Sequence, residues 1–297
     1  MEIIPPLKGD SISTLFSNMD PLMEFKPPFI DVTYHREETI LRRRPDSKGY
    51  DRMSVRKRPG TVGICSAIKH RYDVDPVPHI ICGGFSREET ENALIDLHFL
   101  GIDNVLAIRG DNNKPENKFI PEPEGNNYAI ELVNQVLKMN NGIYLDPELE
   151  NAQPTDFCIG VAGYPEKHSE SPNLKTDIKY LKQKIELGAD YVVTQMFFDN
   201  QKYFDFVDAC RKEGINIPII PGLKPLTTKK QATVLPSIFH IDLPEDLYDE
   251  VEKCKTNADV RKVGIEWGIK QSKELVEGGA PVLHYYSMGK SDSIHQI

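Results

Sequence analysis

Short apolar runs of strand length recur along the chain, each ended by turn-forming or charged residues, with stretches of helical spacing between them. Val105-Leu106-Ala107-Ile108 is the clearest of these runs. It stops at Arg109-Gly110-Asp111, and Asn112, Asn113, Lys114 and Pro115 follow as loop. Strand-like runs end near residues 4, 34, 82, 108, 162, 195, 220 and 286. The intervening pattern predicts helices over 61–69, 86–100, 128–139, 177–187, 202–212, 229–235, 245–253 and 259–277. Ser86 with Glu89 reads as a capping box, and Gly101, Gly188 and Gly214 read as helix stops. Eight β/α units in a chain of 297 residues imply an α/β protein, a single-domain (β/α)8 TIM barrel over 1–297. A doubly wound sheet is the alternative, but no strand is followed by Gly-x-Gly-x-x-Gly.

Residues 41 to 58 break the rhythm. Arg42, Arg43, Arg44, Lys48, Arg52, Arg56, Lys57 and Arg58 crowd a stretch that also holds Pro45 and Gly49. The segment is expected to be a loop insertion: either a solvated surface loop or a collar that draws an anionic substrate or cofactor toward a pocket. The chain as a whole has a net charge of −9, which argues against general affinity for nucleic acid. Five scattered cysteines without a Cys-x-x-Cys pair fit a reducing cytoplasm rather than a disulfide framework. No apolar run is long enough to span a membrane, and Pro5, Pro6, Lys8 and Asp10 interrupt any secretory signal.

In a barrel the C-terminal strand ends share one face, where function collects. Here they carry Glu2, Thr33, His79, Arg109 with Asp111, Tyr164 with His168, Gln195, Leu223 with Lys224, and Lys290 beyond the last strand. Such a lining can hydrogen-bond a polar heterocycle and move a proton. It lacks clustered metal ligands, so no metal is expected, and it lacks a Ser or Cys nucleophile beside a base. Redox chemistry on a bound organic cofactor is compatible with it, but the residue types alone do not name the cofactor.

Four motifs carry a family resemblance. Ala107-Ile108-Arg109-Gly110-Asp111, Val161-Ala162-Gly163-Tyr164-Pro165-Glu166-Lys167-His168, Thr194-Gln195-Met196-Phe197-Phe198-Asp199 and Ile219-Ile220-Pro221-Gly222-Leu223-Lys224-Pro225 closely resemble the signatures of the methylenetetrahydrofolate reductase family. Order and spacing match over nearly the whole chain, ending with His284-Tyr285-Tyr286. The resemblance implies a short, bacterial-type enzyme with the catalytic barrel alone. It implies an FAD flavoprotein that uses NADH or NADPH to reduce 5,10-methylenetetrahydrofolate to 5-methyltetrahydrofolate by ping-pong hydride transfer.

It also implies roles for single residues. Glu2, in Met1-Glu2-Ile3-Ile4-Pro5-Pro6, would be the general acid that opens the folate ring, and Asp111 would sit by flavin and pterin. Gln195 would pair with the pterin edge, Gln231 and Leu235 would face folate or nicotinamide, and Lys290 would meet the folate's glutamate end. Flavin contacts would come from Thr33, His79, Arg109, Gly110, Asp111, Tyr128, Ala129, His168, Asp177 and Lys184. Tyr180 and Gln183 stand where some members have Asn and Arg, which alters the phosphate clamp. The partners implied are the folate, the nicotinamide dinucleotide and further copies of the chain, with no nucleic acid or membrane. Two other readings fit the strand ends: a barrel flavoenzyme with another substrate, and a flavoprotein subunit that receives electrons from a partner protein.

Overall fold

The computed structural model describes residues 1–45, 49–111, 119–288 and 291–297. The fold is the (β/α)8 barrel: eight strands make one sheet in the order β1 (Glu2–Ile3), β2 (Phe29–Val32), β5 (Asp75–Ile81), β6 (Asn104–Ile108), β7 (Cys158–Gly163), β8 (Tyr191–Met196), β9 (Ile219–Leu223) and β10 (His284–Tyr285), and β3 (Glu38–Arg43) and β4 (Tyr50–Val55) pair separately. Contact density divides the chain into two compact units, Ile3–Phe157 and Cys158–Ile297 with Met1–Glu2.

The first unit holds α1 (Ile12–Met19), β2 (Phe29–Val32), β3 (Glu38–Arg43), β4 (Tyr50–Val55), α2 (Thr61–Arg71), β5 (Asp75–Ile81), α3 (Arg87–Phe99), β6 (Asn104–Ile108) and α4 (Ala129–Asn140). β2 pairs with β5 in parallel, Ile30 against Pro76 and Val32 against Pro78, and β5 continues onto β6 with His79 against Leu106. Ile30, Val32, Val105 and Ala107 are buried, as are Leu94 and Leu97 of α3 and Leu132 and Val136 of α4. Apolar strands covered by the apolar stripes of their helices are what this layering requires. The capping box is present: Ser86 Oγ accepts the Glu89 amide at 3.2 Å, and the Glu89 carboxylate accepts the Ser86 amide at 2.8 Å.

The basic stretch is not simply a loop. Its residues 41–43 and 50–55 belong to the antiparallel hairpin β3–β4, with Leu41 opposite Arg52 and Arg43 opposite Tyr50, and its residues 46–48 lie outside the described residues. Ile40, Leu41, Tyr50, Met53 and Val55 give it strand-forming side chains, but the arginines between them hide the apolar alternation.

The second unit begins with β1 (Glu2–Ile3) at its Glu2 end and continues with β7 (Cys158–Gly163), α5 (Leu174–Leu187), β8 (Tyr191–Met196), α6 (Asn200–Lys212) and β9 (Ile219–Leu223). α7 (Gln231–Phe239), α8 (Glu245–Lys253), α9 (Asn257–Glu277), β10 (His284–Tyr285) and α10 (Asp292–Gln296) complete it. β7, β8, β9 and β10 are parallel neighbours, with Gly163 against Thr194 and His284 against Gly222. A bulge between Val193 and Met196 brings Met196 opposite Gly222. Gly222 has to be glycine, because a Cβ there would lie 2.3 Å from the Thr194 carbonyl oxygen. The chain just past β10 returns to the first strand, where Ser287 Oγ and the Met288 amide donate to Glu2 O at 2.6 and 3.1 Å.

Three helices start earlier than their apolar spacing indicates. Asn173 caps α5 by accepting the Thr176 amide at 2.9 Å, Asp199 caps α6 by accepting the Gln201 amide at 2.9 Å, and Thr256 with Asp259 makes a second capping box on α9. α10 is an addition that the spacing did not indicate. Among the described residues no helix is long and apolar enough to cross a membrane.

Candidate active site

In the first unit the residues of interest follow β2, β5 and β6. Thr33, directly after β2, gives both its amide and its hydroxyl to Ile3 O, at 3.1 and 3.2 Å. His79 lies within β5 and is buried, and its Nε2 is 3.8 Å from Oδ1 of Asp31 on β2. Burial pushes the Asp31 carboxyl up to about 7 and pushes the His79 imidazole down to about 3. Both shifts favour the neutral form of each group, a protonated carboxyl and an uncharged ring. Cys65 on α2 is buried too, and desolvation, aided by the charge of Asp31, raises its thiol well above the usual range. That makes it an inert thiol rather than a nucleophile.

The Arg109-Gly110-Asp111 turn is tied to the end of β5, because the Cys82 and Gly83 amides donate to Arg109 O at 3.2 and 3.3 Å. The Arg109 guanidinium lies 5.0 Å from the Phe119 ring centroid. Gly110 has φ of +89°, a left-handed conformation that glycine adopts without penalty. Asp111 is exposed, and its charge reaches His35: burial lowers that imidazole first, Arg58 lowers it further, and Asp111 opposes them. Tyr128 is the exposed N-cap of α4 and makes no side-chain cap, so the helix opens at Ala129 on amides that no capping side chain covers.

In the second unit Glu2 is buried at 5% exposure, with its Oε2 4.0 Å from Nε2 of His284. The sequence offered His284 only as part of a closing motif, and Asp31 only as part of a strand. Each becomes notable through a partner far away in the chain, and a buried polar residue in an apolar strand was the one local sign available. Tyr286 packs edge-on against His284, with centroids 5.1 Å apart, and its hydroxyl donates to Thr194 O at 2.6 Å.

Gln195 is half-buried, and its Oε1 accepts the Met196 amide at 2.9 Å, inside the bulge. His168, Asp177 and Lys184 come together beyond β7. Asp177 accepts the His168 amide at 3.1 Å and the Ser171 hydroxyl at 2.7 Å, so both its oxygens hold the 168–171 loop. The Nδ1 of His168 accepts the Glu170 amide at 3.2 Å, which leaves Nε2 as the donor of a neutral ring. Lys184 donates to Ala162 O at 3.1 Å, and burial of its ammonium end lowers it to about 8, with Asp177 opposing the shift.

Two residues assigned to substrate have structural work. Gln231 Oε1 accepts the Thr227 and Thr228 amides at 2.7 and 3.1 Å, and Leu235 packs in a core with Met196, Phe198 and Leu226. Lys290 lies outside the described residues.

Fold and site together define a (β/α)8 protein with buried carboxyl–imidazole pairs and a glycine-opened turn among its strand-end residues. More narrowly, the chain belongs to the methylenetetrahydrofolate reductase family, whose pattern it matches over residues 1–297. It is 30% identical to methylenetetrahydrofolate reductase 1 of Schizosaccharomyces pombe, covering 100% of this chain and 44% of that protein. It is 31% identical to methylenetetrahydrofolate reductase (NADH) 1 of Arabidopsis thaliana, covering 98% of this chain and 46% of that one. The chain thus spans about half the length of these curated relatives. Against the 5,10-methylenetetrahydrofolate reductase of Salmonella typhimurium the identity is 29%, over 100% of this chain and 88% of the relative. Among solved structures, a Clostridium thermocellum protein that binds two copies of 5-methyl-5,6,7,8-tetrahydrofolic acid superposes with a TM-score of 0.56. Its 13% identity, over 99% of this chain and 90% of its own, speaks to the fold alone.

Proposed function

We propose that this chain reduces 5,10-methylenetetrahydrofolate to 5-methyltetrahydrofolate with electrons from NADH or NADPH, in two half-reactions that alternate on a bound FAD. The observation that carries the reading is Glu2, a carboxyl buried beside His284 in a chain that matches the reductase family from end to end. A carboxyl held almost out of water can pass a proton directly to a ligand seated against it, which is what a general acid requires. In this reading Glu2 protonates the folate and opens its five-membered ring, and the two hydrogen bonds to its own carbonyl keep its backbone from shifting as it does so.

The residues present fit a flavin. In the first unit, Gly110 at φ +89° brings backbone to the surface of its turn, Arg109 supplies a cation, and α4 opens on uncapped amides suited to phosphate. In the second, His168 offers its Nε2. Lys184 and Asp177 act one layer back in this assignment, by fixing the Ala162 carbonyl and the 168–171 loop. When bound, the flavin accepts hydride from the nicotinamide and donates it to the folate. Asp111 adds a negative charge that disfavours extra negative charge nearby, and Gln195 offers a carboxamide with both donor and acceptor for a pterin edge.

The test is spectroscopic. The purified protein is expected to bind FAD, to lose the flavin absorbance when NADH or NADPH is added without oxygen, and to regain it on addition of methylenetetrahydrofolate with formation of the 5-methyl product. A protein that takes up no flavin, or that is bleached and not reoxidised by the folate, overturns the reading.

A further inference from the structure

The buried stripe of α9 is not apolar throughout. Gly264, Trp267, Gly268, Gln271 and Glu274 recur at spacings of three and four and so share one side of the helix. Gln271 is buried, and a polar side chain in that position needs a partner. It donates from Nε2 to Phe197 O at 2.9 Å, and Trp267, one turn earlier, donates from Nε1 to Phe198 O at 2.9 Å. Asn200, the first residue of α6, completes the grip: its Nδ2 donates to Gln271 O at 3.0 Å and to Glu274 Oε2 at 2.8 Å. Gly264 allows α9 to come so close, because a Cβ there would lie 2.0 Å from Leu226 O.

The two carbonyls held in this way follow directly on Gln195 and Met196, where β8 ends. Phe197 and Phe198 are buried, and a buried carbonyl past the last rung of a strand has to find a donor elsewhere. α9 supplies one for each. On the other side of Gln195, Thr194 O accepts the Tyr286 hydroxyl at 2.6 Å and Thr194 Oγ1 accepts the Gly222 amide at 2.9 Å. The backbone is therefore pinned before and after Gln195, and between the two pins Gln195 Oε1 accepts the Met196 amide at 2.9 Å. That bond orients the carboxamide and leaves its Nε2 and the second lone pair of Oε1 for a ligand. Docking α9 as such asks only for an apolar stripe. The polar groups in the stripe are spent on the two carbonyls that come after Gln195.

We propose that Gln271 and Trp267 are positioning residues for Gln195: by gripping the next two carbonyls they hold the chain so that the Met196 amide meets Oε1, and so aim the carboxamide at the pterin edge. The proposal rests on the folate reading above and adds to it two residues of α9 that set the affinity for the heterocycle through Gln195.

The experiment uses three variants of the full chain. Gln271→Leu keeps the bulk and loses the donor, Trp267→Phe keeps a ring and loses the N–H, and Leu275→Val loosens the packing of α9 at a buried apolar position as a control. In amide hydrogen exchange, Met196 is expected to exchange about tenfold faster in each donor variant and at the wild-type rate in Leu275→Val. In steady-state kinetics the donor variants should raise the KM for methylenetetrahydrofolate about tenfold and keep kcat, the sign of binding lost equally from ground and transition states. Gln195→Ala should raise it similarly, and Gln195→Ala/Gln271→Leu no further than Gln195→Ala alone, because a residue that acts through another adds nothing once that one is gone. A KM rise that multiplies in the double variant, an equal rise in Leu275→Val, or unchanged Met196 exchange in the donor variants would each overturn the proposal. Folate turnover with an unmoved KM sinks the positioning role and leaves the reductase reading standing. A wild type that the folate does not reoxidise sinks the reductase reading, and Met196 exchange then decides the grip on Gln195 by itself: faster in the donor variants upholds it, unchanged removes it.

Discussion

Each unit of the chain buries a carboxyl against an imidazole, and the two pairs are mirror cases of exposure. In the first unit the Asp31 side chain is wholly excluded from solvent and His79 keeps 7%, with 3.8 Å between them. In the second the His284 side chain is wholly excluded and Glu2 keeps 7%, with 4.0 Å between them. The group that retains access is the ring in one pair and the acid in the other. An acid that must hand a proton to a ligand has to reach it, whereas an acid sealed behind its partner can only tune or hold the fold. The same two residue types thus differ in which member faces outward, the His79 ring in one pair and the Glu2 carboxyl in the other.

Three substitutions would break or sharpen that contrast. The largest effect is expected for Glu2→Gln, which keeps the shape of the side chain and removes its proton. It should slow folate-dependent reoxidation of the flavin by about 100- to 10,000-fold, the usual range for a general acid, while bleaching by NADH or NADPH proceeds at the wild-type rate. Stopped-flow measurement of the two half-reactions separates them, and equal loss of both would make Glu2 a structural residue.

Asp31→Asn should act on stability instead. In wild type between about pH 4 and 6.5, the unfolded chain carries one proton on His79 and the folded chain carries one on Asp31, so the pair adds no pH dependence. Below about pH 4 the unfolded pair gains a second proton that the folded pair refuses, and stability falls. Above 6.5 the unfolded ring is neutral while folded Asp31 holds its proton up to about 7, so stability falls slightly across that narrow window as pH rises. Asparagine takes away the compensating carboxyl and leaves His79 lowered to about 3 by burial. Stability of the variant should then climb with pH between about 4 and 6.5, at up to about 1.4 kcal/mol per unit. Urea unfolding at several pH values reads this directly, and a flat variant profile would show that His79 does not stay neutral.

The smallest effect is expected for His284→Asn. With its neighbour changed, Glu2 keeps its backbone hydrogen bonds and loses only the ring beside its carboxyl. The folate half-reaction should slow about tenfold, equivalent to ~1.4 kcal/mol, and its pH profile should move, while thermal stability at pH 7 changes less than in a cavity-forming variant. An unmoved pH profile would reduce His284 to packing.

Much of the fold was legible along the chain. Strand ends expected near 108, 162 and 195 fall at Ile108, Gly163 and Met196, and the helix expected over 245–253 is α8. Buried parallel strands are continuous apolar runs that stop at turn residues, and their covering helices repeat at helical spacing, so both leave a local trace. The hairpin left a weaker one, because exposure on both faces removes the demand for alternation and lets arginines occupy its strands. The candidate site was legible in part. The motifs marked Glu2, Asp111 and Gln195, but they could not show that Asp177 spends both oxygens on a loop, that Gln231 braces a turn, or that Leu235 is core.

The sequence by itself determined the (β/α)8 order, the positions of its strand ends and the residue types set there, because each depends on contacts close in the chain. Tertiary structure alone decided which of those residues meet. Asp31 finds His79 across neighbouring strands, and Glu2 finds His284 from the far end of the chain. Whether a carboxyl is a turn residue, a clamp or an acid depends on the water and the partner it is left with, and both are set only when distant strands come together.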